Sequence, residues 1–149
     1  MSLLKLSTLA TKLMTMLPSE ASHSLALNSL KLINALGINL ITKQPLNSYK
    51  CLGIEFKNRL GLAGGLDKNG DYIKCLSALG FSFLELGTAT PIPQLGNQKP
   101  RLYRDKPKEA LINNMGFNNK GIDYLIKNIS KANKLCPIAV SIGKILILL

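Results

Sequence analysis

Three short apolar runs separated by two helix-like segments constrain this 149-residue chain more than any other feature. "LGLAG" (60–64), "FSFLELGT" (81–88) and "PIAVSIG" (137–143) have the length and composition of buried strands. "NGDYIKCLSALG" (69–80) reads as a helix ended by Gly80, and "GIDYLIKNISKAN" (121–133) as a second one. Strand, helix, strand, helix, strand is the order of parallel βαβ units, because a parallel pair needs a crossover between its strands. An α/β fold is therefore expected. Ahead of it, Pro45, Gly53 and the alternating "YKCLGIEF" (49–56) point to a small β-hairpin within residues 38–59.

The N-terminal residues follow a helical period instead. Leu6, Leu9, Leu13 and Met16 form one stripe, with Lys5, Thr8, Lys12 and Thr15 off it. Pro18 ends that helix, and Ser19 is placed to cap a second one running to about Gly37. In the second helix Ala26, Leu30 and Ile33 share a face that Leu25, Leu32 and Leu36 broaden. The pair forms an αα-hairpin that either packs on the main domain or keeps apolar surface for a membrane or a lipid-like ligand. Polar interruptions make the first 17 residues unfit for a cleaved signal or a bilayer span.

Charge limits the partners. The formal net charge is +11, carried by 16 Lys but only 3 Arg, and aromatic residues are 5% with no Trp. Arginine forks and stacking rings are what specific nucleic-acid readout uses, so no nucleic-acid partner is expected. Lysine excess suits a solvated surface or an anionic lipid surface. Cys51, Cys75 and Cys136 are far apart and odd in number, so neither a disulfide framework nor a zinc site is expected. His23 is the sole histidine, which excludes a histidine metal cluster and suits a half-buried helix position.

The chemistry-bearing residues gather where strands end. In "GLAGGLDKNG" (61–70) the glycines allow either a tight turn or close approach of a flat or phosphorylated ligand to bare backbone. It has neither dinucleotide-fingerprint nor Walker A spacing. Lys68 brings a cation able to hold a carboxylate or phosphate, and Thr88 brings a hydroxyl at the end of the next strand. About 30 residues, 88–118, then separate the second strand from the second helix, and connections that long are usually functional. Within them "NNMGFNN" (113–119) sets four asparagines around Met115, Gly116 and Phe117. Their amides suit a neutral, planar, amide-rich ligand, or else Asn118 or Asn119 caps the helix that follows.

"GLAGGLDKNG", "ELGTATPIPQLGNQKPRLYR", "LINNMGFNNKG" and "SIGK", in that order, resemble the class 2, quinone-dependent dihydroorotate dehydrogenases. "LPSEASHSL" (17–25) at the helical elbow is similar to that class as well, and the likeness runs from residue 1 to about 144. The resemblance implies a (β/α)8 barrel (residues 38–149 supplying an incomplete N-terminal part) behind a helical membrane- and quinone-associated element (residues 1–37). It implies FMN as cofactor, oxidation of dihydroorotate to orotate, electron transfer to a quinone, and a peripheral position on the cytoplasmic face of a membrane. By position, Gly64, Gly65, Leu66, Asp67, Lys68, Thr88 and Ser141 would contact FMN. Lys68, Asn113, Asn114, Met115, Gly116 and Phe117 would contact the substrate. Asn114 stands where the family usually has arginine, and Ser141 where it commonly has asparagine.

A barrel of this kind takes about 250 residues, and this chain ends in "ILILL" after Lys144. The resemblance thus implies a truncated chain, inactive alone and lacking the general-base serine, unless a separate chain carries the rest. The other reading is a non-catalytic peripheral membrane-binding fragment.

Overall fold

The computed structural model describes residues 3–38, 47–132 and 136–144. Pro45 and the rest of 39–46, the end of the second helix at Asn133, and the "ILILL" terminus lie outside them, as do the Leu6 and Leu9 side chains. Helices α1 (Leu3–Thr15) and α2 (Ser19–Ala35) open the chain. Ser19 does not cap α2: Pro18 holds the N-cap position, and its carbonyl accepts the first helical bond from Ser22 N at 2.9 Å. Ser22 does the polar work at the elbow, donating its hydroxyl to the Met14 carbonyl at 2.6 Å. Leu27 is the buried apolar side chain of α2 and Ala26 is exposed, so the core stripe sits one residue on from the expected face. Leu30 and Ile33 stay partly buried, whereas Leu25, Leu32 and Leu36 face solvent.

The expected hairpin forms from β1 (Tyr49–Cys51) and β2 (Ile54–Phe56), antiparallel with Tyr49 opposite Phe56. Leu52 and Gly53 both take positive φ, as a two-residue loop matched to strand twist requires. The Tyr49 and Phe56 rings stack at 5.2 Å, and Phe56 meets Phe83 edge-on at 5.9 Å, which seats the hairpin on the main sheet.

That sheet is parallel, in the order β3 (Gly61–Leu62), β4 (Phe83–Ala89), β7 (Ile138–Ile142). Between β3 and β4 the helix α3 covers only Ile73–Ser77, shorter than the sequence pattern suggests. Gly70 at φ +69 breaks any earlier helical start. The Asp67 carboxylate then takes the N–H groups of Asp71 (3.0 Å) and Tyr72 (2.9 Å) that a longer helix would have spent otherwise. Helix α4 (Ile122–Lys131) matches its period, with Leu125 fully inside and Ile122 and Ile129 beside it. Leu84, Leu86 and Ala89 of β4 meet Ile73 and Leu76 of α3, Leu125 of α4 and Leu27 of α2 in one core. Helix α2 therefore shares its core with the sheet.

The connection after β4 is not an open loop. It contains an antiparallel hairpin, β5 (Leu102–Asp105) and β6 (Ala110–Asn113), in register Leu102 to Asn113. All of β6 is exposed, so no inside–outside alternation marks it in the sequence. Among the described residues no helix is long and apolar enough to cross a membrane.

Candidate functional site

A cleft of ≈ 1390 Å³ opens at the C-terminal ends of β3, β4 and β7. Its floor is the backbone of Ala63, Gly64, Gly65 and Leu66, where β3 has just ended. Gly65 has φ +99, and a Cβ there would meet nothing within 4 Å, so the floor is bare toward open space at this residue, whereas a Cβ on Gly64 would meet the Glu85 carboxylate at 2.9 Å. On the far side stands the segment 113–118, which continues β6 and forms a flap over the floor.

Thr88 reaches the cleft through an irregularity in β4. The register with β7 shifts between Leu86 and Ala89, so Thr88 joins Glu85 on the cleft wall while Ala89 stays in the core. Such a shift re-aims a side chain at a sheet's end. The Thr88 hydroxyl lies 3.0 Å from that of Ser141 on β7.

Lys68 is the cleft's inner cation. Its Nζ donates to the Gly65 carbonyl at 3.0 Å, and burial, then the Arg101 charge, push its pKa below 10.5, with Glu20 opposing. Among the described residues no carboxylate forms an ion pair with it. An anion entering here would relieve that cost. Asp67, next in sequence, behaves differently: only 2% exposed, it turns from the cleft to hold Asp71 and Tyr72, and burial raises its pKa. The chain alternates direction at this turn, which sends neighbouring charges to opposite sides.

The flap is fastened, not loose. Asn97 N donates to the Met115 carbonyl (3.0 Å), Asn114 N to the Arg101 carbonyl (2.8 Å), and Asn97 Nδ2 to Asn114 Oδ1 (2.7 Å). Backbones approach so closely that a Cβ on Gly96 would lie 2.3 Å from the Met115 oxygen, and one on Gly116 2.7 Å from Asn97 N. Behind the flap, Asn119 Nδ2 donates to the Phe117 carbonyl and to Thr90 Oγ1, and its Oδ1 accepts from Gly121 N at 2.8 Å. Neither Asn118 nor Asn119 is the N-cap of α4; Gly121 holds that position without a side-chain cap. Asn118 Oδ1 is buried and has no hydrogen-bond partner among the described residues.

Gly64, Gly65, Leu66, Lys68, Thr88, Asn113, Asn114, Met115, Gly116, Phe117 and Ser141 thus line one cleft, with Asp67 the exception. Its third wall lies outside the sequence motifs that mark the floor and the flap. Glu20, His23 and Ser24 of α2 face the floor, with Asn97, Lys99 and Arg101 beside them. The signal was present: 20, 23, 24 and 27 are one helical face, polar at one end and apolar where it meets the core. Burial, then Lys68, hold the His23 pKa below 6.5, against the pull of Asp67 and Glu20.

Fold and cleft together define an α/β protein with its ligand cleft at the carboxyl ends of parallel strands, where such folds place ligands. A family model described as dihydroorotate dehydrogenase matches residues 46–146. The chain is 50% identical over 135 residues to dihydroorotate dehydrogenase (quinone) of Hamiltonella defensa, covering 89% of this chain and 40% of that protein. It is 49% identical over 138 residues to the enzyme of the same name from Buchnera aphidicola, covering 91% and 41%. The crystal structure of the Eimeria tenella dihydroorotate dehydrogenase in complex with ferulenol aligns with TM-score 0.66 at 34% identity, over 81% of this chain and 35% of that one. This chain belongs to the dihydroorotate dehydrogenase family. It spans about 40% of the length of the relatives it matches.

Proposed function

We propose that the cleft is the first part of an FMN and dihydroorotate site in a quinone-dependent dihydroorotate dehydrogenase. The observation that carries this is Lys68: a half-buried ammonium without a carboxylate partner among the described residues, between a glycine floor and an amide flap. The fit to FMN rests on the floor, where Gly65 leaves its open side free and a flat ring can lie on backbone. Gly64, Gly65 and Leu66 would carry the ring, with Asp67 holding the turn beneath; Thr88 and Ser141 would offer hydroxyls to its polar edge. When bound, FMN supplies the two-electron carrier between dihydroorotate and the quinone.

The chain's own residues then bind and orient. Lys68 pairs with the substrate carboxylate, a charge-assisted contact strengthened by the partial burial of the ammonium. Asn113 and Asn114 present amides to the pyrimidine ring; Asn114 Oδ1 is held by Asn97, which leaves its N–H groups for the ligand. Met115 and Phe117 exclude water over the ring. The β3–β4–β7 sheet fits as consecutive strands of a (β/α)8 barrel whose other strands would pair along its open edges, on a longer or a separate chain. Residues 1–37 would form the quinone-side helical element on the cytoplasmic face of a membrane. Exposed Leu13, Met16, Leu32 and Leu36 and the +11 charge support that placement.

The test is a chimera in which residues 1–144 continue into the remaining part of the Hamiltonella relative. A yellow protein that oxidises dihydroorotate with a quinone is expected, and Lys68→Ala should reduce turnover at least about a hundredfold. A folded but colourless chimera, or full turnover in that variant, would overturn the reading.

A further inference from the structure

Arg101 is 7% exposed and uses all three guanidinium nitrogens. Nε and Nη2 donate to one oxygen of Glu20 on α2, at 3.1 and 3.0 Å. Nη1 donates to the carbonyls of Leu95 (2.7 Å) and Asn97 (3.0 Å). Those bonds fix the turn on which the flap hangs, since Asn97 holds Asn114 and Met115, and the Arg101 carbonyl takes Asn114 N. A chain of direct bonds therefore runs from α2 to the flap without passing through the sheet.

We propose that Glu20 is a positioning residue that sets the flap through Arg101, linking the seat of the helical pair to ligand capture in the cleft. The ligand half of this rests on the function proposed above; the mechanical half does not. Glu20 compensates a nearly buried guanidinium, and removing one partner of such a pair leaves the other charge uncompensated. Lys99 cannot substitute, because it is a cation and stands 3.7 Å from Glu20 with its side chain 69% exposed. Arg104 keeps the rest of the hairpin attached, donating to Ser22 Oγ at 3.0 Å and to the Thr15 and Leu17 carbonyls. Loss of Glu20 thus frees the flap turn and leaves the elbow docked.

Backbone hydrogen exchange on the 149-residue chain tests this. Glu20→Ala should speed exchange at the Asn97 and Asn114 amides about tenfold, with the β4–β7 amides unchanged. In an Arg101→Ala background the same substitution should add less than about twofold, because the relay is already cut. Additive effects, equal acceleration across the sheet, or no protection at those two amides in the unsubstituted chain would each overturn the proposal. In the chimera, Glu20→Ala should raise KM for dihydroorotate with flavin content unchanged; an unchanged KM overturns the link to ligand capture. Absence of turnover in the unsubstituted chimera counts against the proposed function, and the exchange result still decides the relay.

Discussion

The hydroxyls of Thr88 and Ser141 lie 3.0 Å apart and join the ends of two neighbouring parallel strands at the cleft. Each has one donor and can accept, so one hydroxyl donates to the other, and the second O–H and the spare lone pairs are left for a ligand. Ser141→Ala should cost about 1 kcal/mol, the net worth of one such bond, read as a shift in the denaturation midpoint. A variant as stable as the parent would mean the two hydroxyls are independently solvated.

Asp67 is expected to be structural at this site. Its two oxygens separately accept the N–H groups of Asp71 and Tyr72. Asparagine has one acceptor oxygen, so Asp67→Asn sets an amide N–H against a backbone donor. The variant should lose about 1–3 kcal/mol at pH 7, with faster exchange at Asp71 and Tyr72. Because burial raises the Asp67 pKa above 3.8, the folded state holds this proton more tightly than the unfolded one. Its contribution to stability is therefore full below 3.8 and falls as pH rises through the raised value.

Local patterns made the sheet and most of the cleft legible. β3, β4 and β7 are short apolar runs bounded by glycine or proline, and the Gly64–Lys68 turn and 113–117 flap are contiguous in sequence. What escaped depends on partners distant in the chain. Glu20 and Arg101 are 81 positions apart and neither carries a local signal of the other. The β5–β6 hairpin has an exposed strand with no apolar alternation, and α3 starts late where Gly70 takes positive φ and the Asp67 carboxylate, whose direction only the fold determines, holds the N–H groups of Asp71 and Tyr72. Leu27 replaced Ala26 on the core face because the position of α3, not the helix's own period, chose the rotation.

Two glycines separate strain from collision. A Cβ at Gly87, at φ +102, would lie 2.5 Å from the Ser141 carbonyl oxygen inside the β4–β7 contact. Gly87→Ala should cost about 3 kcal/mol or more. Gly65 has a similar φ but open space, so Gly65→Ala should cost only about 1–2 kcal/mol. In the chimera the smaller perturbation should nonetheless do more specific harm, lowering FMN affinity by placing a methyl group on the floor. Flavin titration alongside thermal melts distinguishes them, and equal losses of stability would contradict the geometry.

His23 reports on the cleft directly, because it is the only histidine and its imidazole resonance is unambiguous. Burial first, and the Lys68 charge second, hold its pKa below 6.5. Protonation is thus harder in the folded state, and the unfolded chain binds more protons between that lowered value and 6.5. Stability from this group is present above 6.5 and lost as pH falls through the window toward the folded pKa. Lys68→Gln removes the second cause and leaves the first, so the His23 pKa should rise. An anion bound at Lys68 should act in the same direction by screening that charge. Both shifts are measurable by NMR titration of the 149-residue chain, and a His23 pKa indifferent to Lys68→Gln would separate the α2 wall from the cleft floor.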